Sequence, residues 1–328
     1  MVESHCQMKA IGGYFELADR EEKTSIPVDG VLLNTARNAL EYILQTLSDI
    51  KKIYLPYYTC EAVIEPLKRL NLSYQFYHIN WDFEIAETIV LEEGEYLIVN
   101  NYFGLKDAYI EKLSIQYGER LIVDNAQALF AFLPPETKAC FSIRKFVGVA
   151  DGGIATGVDM SNVASMMYEA TENHNNHLYI RKELGAEAGF SHYQTNECKL
   201  DNQPVRRMSL STYDILTHIN YHKVIEQRKK NYTYLEKALN RSNQLNLPSC
   251  DSFNCPMVYP YLNNESRDLR QTLISQKIFV ARYWPNVLEW TTNDSLEYYF
   301  ANQILPLPID QRYDEKDMQR IIDLIVGN

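Results

Sequence analysis

The sequence predicts an α/β protein built on a largely parallel sheet, and three observations carry that expectation. Short apolar runs bounded by polar residues recur at 53–55, 96–99 and 121–123. Stretches with helical periodicity lie between them, and this alternation is the signature of βαβ units. With 328 residues of which 46% are hydrophobic, the chain can bury the core of one large domain and a smaller one. The division expected is a large domain over 1–215, including an N-terminal arm, and a small domain over 216–328.

Ala36, Ala39, Leu40, Ile43, Leu44 and Leu47 repeat at helical spacing and predict an amphipathic helix. The strand at 53–55 stops at Pro56, and the helix expected over 61–70 is bent by Pro66. Further strands are expected at 74–79, 96–99, 121–123, 139–142 and 153–156, with a helix over 107–117. The polar, Asn- and His-containing stretch 171–205 reads as a mobile loop over a site. One long helix is expected over 212–239, marked by Ile215, Ile219, Ile225, Leu235 and Leu239, followed by strands at 257–262 and 278–281. The last helix carries Met318, Ile321, Ile322 and Ile325, with Asp314 and Asp317 near its positive end.

A net charge of -11 and the lack of long Lys or Arg runs argue against a nucleic-acid partner. The first ten residues lack the apolar core of a secretory signal, and no apolar stretch approaches membrane-spanning length, so a cytoplasmic protein without a membrane contact is expected. The cysteines at 6, 60, 140, 198, 250 and 255 show no zinc spacing; no metal is expected, and the thiols are expected to be reduced. The Gly-x-Gly-x-x-Gly of a dinucleotide-binding fold is absent.

Chemistry is expected where strands end, because ligands of parallel α/β sheets bind at the carboxyl edge. Asp124 opens the run Asp-Asn-Ala-Gln, ending at Gln127, directly after the strand at 121–123. Some twenty residues on, Lys145 sits between Ser142 and the Asp-Gly-Gly of 151–153. Upstream, Thr35, Ala36 and Arg37 stand where a helix begins. The amides of such an end form an anion site, and Asn34 or Thr35 can cap it in either case.

In chain order, LNTARNAL, LPYYTCEAVIEPL, VDNAQA, the Lys145 segment ending DGG, RRMSLSTYDIL and ILPLPIDQRYDEKDMQRIIDLI resemble the DegT/StrS sugar aminotransferases. These belong to the fold-type I pyridoxal phosphate (PLP) enzymes, and the resemblance runs from about residue 31 to the C-terminus. It implies a seven-stranded mixed sheet in the large domain, a small C-terminal α/β domain, and a homodimer with its sites at the subunit boundary. The activity implied is transfer of an amino group from an amino acid, glutamate by expectation, to a keto-sugar or related carbonyl compound. A different PLP reaction or a non-catalytic binding role on the same fold is the alternative.

The resemblance assigns Lys145 as the Schiff-base lysine and proton carrier, and Asp124 as the partner of the pyridinium nitrogen. Gln127 would lie against the ring or its phenolic oxygen, and Ser142 with the amides of Thr35, Ala36 and Arg37 would hold the phosphate. Three departures stand out. The spacing from Ser142 to Lys145 is two residues short; Cys60 occupies the place of a stacking aromatic, leaving Tyr58 or Tyr57 to supply the ring; and Val205 replaces an Asn that reaches the partner's phosphate. Arg206 or Arg207 would take over that contact across the dimer.

Overall fold

A computed structural model of the chain describes residues 8–134, 136–161, 163–170, 176–263 and 268–327. The N-terminal segment carries β1 (Ile11–Gly12), and β2 (Val31–Leu33) enters the main sheet. Next come α1 (Ala36–Gln45), β3 (Lys52–Pro56), α2 (Ile64–Arg69), β4 (Tyr74–Tyr77), β5 (Glu95–Asn100) and α3 (Asp107–Tyr117). They are followed by β6 (Leu121–Asn125), β7 (Lys138–Ser142), β8 (Gly153–Thr156), α4 (Asn176–Leu184), α5 (Phe190–Leu200), α6 (Leu210–Leu216) and α7 (Tyr221–Leu239). The C-terminal part holds β9 (Val258–Tyr261), α8 (Leu269–Ser275), β10 (Ile278–Phe279), α9 (Val287–Trp290), α10 (Leu296–Gln303), β11 (Leu305–Pro308) and α11 (Glu315–Val326).

The main sheet has seven strands in the order β2-β8-β7-β6-β5-β3-β4. Strands β7, β6, β5, β3 and β4 are mutually parallel, whereas β8 runs antiparallel to both its neighbours, so the sheet is mixed. The chain crosses from β3 to β4 on one side and returns to β5 on the other, which opens a crevice at the carboxyl ends of β3 and β5.

Alternation along the strands makes both faces apolar. Ile53, Leu55, Ile98, Ile122 and Ala155 pack with Ala39, Leu40 and Ile43 of α1 on one face. Leu97, Val99, Leu121, Val123 and Phe141 enter the larger core on the other. Register places Asn100 beside Asp124 and Asp124 beside Cys140, a row of polar side chains continuing the α1 face to the sheet's carboxyl edge.

Several expectations are corrected. The 176–205 part of the expected mobile loop contains α4 and α5; residues 171–175, like Cys6 and the rest of 1–7, lie outside the described residues. The long helix of 212–239 is two helices, because Ser209 caps α6 and Asn220, accepting from Lys223 N, starts α7 anew. Pro66 falls in the first turn of α2, where its missing N–H costs no helical bond, and a short 3-10 turn at Glu61–Val63 precedes the helix. The C-terminal helix is capped as expected, with Asp314 and Asp317 forming a reciprocal capping box.

The N-terminal segment is fastened to the C-terminal part. Strand β1 pairs in parallel with β10, Gly12 N donates to Tyr313 Oη at 2.7 Å, and Arg312 binds Glu16 at 2.7 Å. Among the described residues no helix is long and apolar enough to cross a membrane.

Gly153 is the tightest link between the sheet and the start of α1. A Cβ there would fall onto the carbonyl of Thr35, whose chain lies directly on β8. Gly153→Ala is expected to destabilise the protein by about 1–3 kcal/mol through overpacking. Urea denaturation checks this, and an unchanged midpoint would show that the Thr35 backbone is free to retreat.

Candidate active site

The carboxyl edge of the sheet opens into a cavity of about 180 Å³. Thr35, Ala36 and Arg37 follow β2; Cys60 follows β3; Asn100 and Asn101 end β5; Asp124 and Gln127 follow from β6; Ser142 and Lys145 follow from β7. Eight sequence-predicted residues therefore line one pocket, although their positions span more than a hundred residues.

Asp124 is only 8% exposed. Its Oδ1 accepts from Ala126 N at 2.8 Å and from Cys140 Sγ at 3.8 Å. Burial raises its pKa, opposed by the charge of Lys145 and the Ala126 N–H. Lys145 rides a tight turn in which Phe146 N and Val147 N both donate to Ile143 O. Ile143 and Phe146 are fully buried, Gln311 Nε2 donates to Phe146 O at 2.7 Å, and the Arg228 guanidinium lies 4.6 Å from the Phe146 ring. The backbone of Lys145 is thus fixed on both sides while its side chain is left to the pocket.

Gln127 is 4% exposed; its Oε1 accepts from Phe103 N at 2.9 Å, while its buried Nε2 has no partner. Thr35 is the N-cap of α1, its hydroxyl accepting from Asn38 N at 3.0 Å. The amides that follow make up a helix N-terminus at the cavity. The Arg37 guanidinium is engaged elsewhere, with Asp201 at 2.9 Å and Glu65 at 3.1 Å. Burial pushes the Cys60 and Cys140 thiols up, so neither is a thiolate nucleophile here.

Tyr58 does not line the pocket. It is wholly buried in an aromatic cluster, edge-on to Trp284 at 5.2 Å, because the chain turning off β3 points it into the larger core. Tyr57 stacks on Phe76 at 4.7 Å, also away from the pocket. The ring that does line it is Trp284, from the C-terminal part, which sequence reasoning missed.

Arg206 and Arg207 are likewise absent from the lining. Arg206 pairs with Glu169 at 3.0 Å, and the Arg207 guanidinium lies 4.1 Å from the Tyr168 ring. Both contacts are within the chain, where Arg207 bridges Leu33 of β2 and Tyr168. Asn100, Arg144, Glu197 and Leu200 are further lining residues that were not foreseen. Asn100 was within reach, since it ends an apolar strand as Asp124 does. Among the described residues no group of His, Cys, Asp and Glu could hold a metal.

No protein-family model matches the chain, and no curated protein matches it. Solved structures do. DesV of S. venezuelae, determined with a ketimine intermediate, superposes with a TM-score of 0.63 at 16% identity, over 91% of this chain and 84% of that one. A DegT DnrJ EryC1 StrS aminotransferase from Brucella abortus gives 0.62 at 17% identity, over 92% and 86%. The chain has the fold of the DegT DnrJ EryC1 StrS aminotransferases. Helicobacter pylori PseC, an aminotransferase involved in the biosynthesis of pseudoaminic acid, matches this aminotransferase fold with a TM-score of 0.62 at 12% identity, over 97% of this chain and 99% of its own.

The raised pKa of Asp124 has a consequence for stability. The folded protein binds a proton that the unfolded chain releases, so stability is greatest below the unfolded carboxyl value and is lost as pH rises through the folded one. Asp124→Asn keeps the Oδ1 acceptor for Ala126 N–H and removes the charge. Without added ligand, the variant is expected to gain on the parent over the range that begins near the ordinary carboxyl value of about 4 and runs upward. Urea midpoints of the two proteins across that range test this, and a difference that shrinks with rising pH contradicts it.

Proposed function

We propose that the chain is a PLP-dependent aminotransferase that moves an amino group from an amino acid, glutamate in this reading, to a keto-sugar or related carbonyl compound. The observation that carries the reading is the meeting, in one pocket, of an amine, a buried carboxylate and an amide donor without an acceptor: Lys145, Asp124 and Gln127. These residues fit the cofactor. Gln127 Nε2 lacks the acceptor that a phenolic oxygen would supply, and the α1 amides offer a phosphate the partners that helix termini leave free. When bound, PLP supplies an electron sink for charge developing at the amino-bearing carbon.

Asp124 would hold the proton on the ring nitrogen, and its burial strengthens that pairing by excluding water. Ser142 and the amides of Ala36 and Arg37 would bind the phosphate, with Thr35 shaping the turn that presents them. Lys145 Nζ is the one lysine amine lining the pocket among the described residues, and it would both bind the cofactor and move the substrate proton. Trp284 and Leu40 supply apolar wall.

The same reading makes the chain a homodimer. Half of the exposed large hydrophobic side chains among the described residues, Met167, Tyr168, Phe190 and Leu210 among them, fall within 160–213, a concentration that favours an interface there. Light scattering is expected to give twice the chain mass, and a monomer would defeat this part. The cofactor assignment is tested by incubating the chain with PLP, reducing with borohydride and mapping the modified peptide. Label on Lys145, lost together with visible absorbance in Lys145→Ala, is the expected result. Absorbance and label surviving in that variant would refute the assignment.

A further inference from the structure

Arg144 immediately precedes Lys145 and lines the same pocket. Its guanidinium is held by Glu197 of α5 through Nη1 and Nη2, while its buried Nε has no partner. The pair is unequal, because the Arg144 side chain is 18% exposed and that of Glu197 is 40% exposed. The carboxylate can therefore move into water at little cost, whereas the guanidinium stays in the pocket and needs an anion wherever Glu197 goes. Arg144 is also two residues beyond Ser142, near enough to Arg37 for their charges to oppose each other. It lines the pocket together with Ser142 and the start of α1.

We infer that Arg144 binds the phosphate group of the cofactor in place of Glu197, so that the Glu197 carboxylate and the phosphate compete for one guanidinium fork. The inference rests on the PLP reading of the pocket. A planar fork with two parallel N–H groups suits a phosphate as well as a carboxylate, and a dianion with the α1 amides behind it outcompetes a half-exposed carboxylate. The competition also couples the cofactor to α5, which is tied to the active-site loop by Asn196 Nδ2 donating to Ala150 O at 3.1 Å. Phosphate binding would release the Glu197 tether of that helix and leave the Asn196 one.

The test compares PLP, pyridoxal and inorganic phosphate as ligands of the full chain after dialysis to remove cofactor, using calorimetry for affinity. Arg144→Gln is expected to weaken PLP and inorganic phosphate by about tenfold or more while leaving pyridoxal unchanged. Glu197→Gln is expected to strengthen both phosphate ligands. Unchanged phosphate affinity in Arg144→Gln, equal losses of PLP and pyridoxal, or weaker phosphate binding in Glu197→Gln would overturn the inference. If Arg144→Gln fails to fold, the opposite-signed Glu197→Gln result decides alone. Arg144-dependent phosphate binding in a chain that fixes no PLP on Lys145 would end the aminotransferase reading and leave Arg144 as an anion site.

Discussion

A carboxylate kept out of water at the end of a parallel strand is the constraint around which the rest of the site is arranged. Asp124 has one close backbone donor and a weak thiol donor, which is little compensation for a charge at that depth. The row formed with Asn100 and Cys140 fixes it laterally, because parallel register puts all three on the α1 face. The positive charge of Lys145 then becomes the main offset that the chain itself provides. In the proposed function, this arrangement would set the cofactor's protonated ring nitrogen against the carboxylate and its phosphate against the helix end.

The Asp-Gly-Gly of 151–153 braces this arrangement, with Gly152 in the pocket wall. Asp151 is buried and accepts from Ser209 N at 2.8 Å, from Ser209 Oγ at 2.6 Å and from Thr212 Oγ1, tying the start of α6 to the sheet. Burial raises its carboxyl pKa against those hydrogen bonds. Gly152 N donates to Asn34 O at 2.6 Å, and Gly153 lets the Thr35 backbone lie on β8. A short sequence that reads as a motif is therefore a joint between two helix starts and the reversed strand.

Six of the seven strands of the main sheet were legible, most of them as short apolar runs closed by polar residues, whereas β2, only three residues long, was not expected; α3 emerged with the bounds 107–117. The carboxyl-edge residues were legible for the same reason: once β6 and β7 are placed, Asp124 and Ser142 must stand at the edge. Polar helices were not. An apolar stripe is weak in 176–200, where Arg181 and Asn196 are buried with polar contacts and the His177 ring lies against Tyr14 and Tyr193. Trp284 and Glu197 reach the pocket from distant segments through tertiary packing, for which periodicity carries no signal. Tyr58 shows the converse, a plausible ring at the right position in sequence whose side chain the core claims.

The pairing of Ile11–Gly12 with Ile278–Phe279 has a consequence for the order of assembly. The first described strand finds its neighbour almost a whole chain later, and Lys9 is held by Asp317 of the last helix. A growing polypeptide can build the parallel sheet while its leading residues still have no partner. Strand β1 cannot pair until residues 278–279 have been made, so closure of this seam is a long-range event whose loop entropy local structure cannot offset in advance.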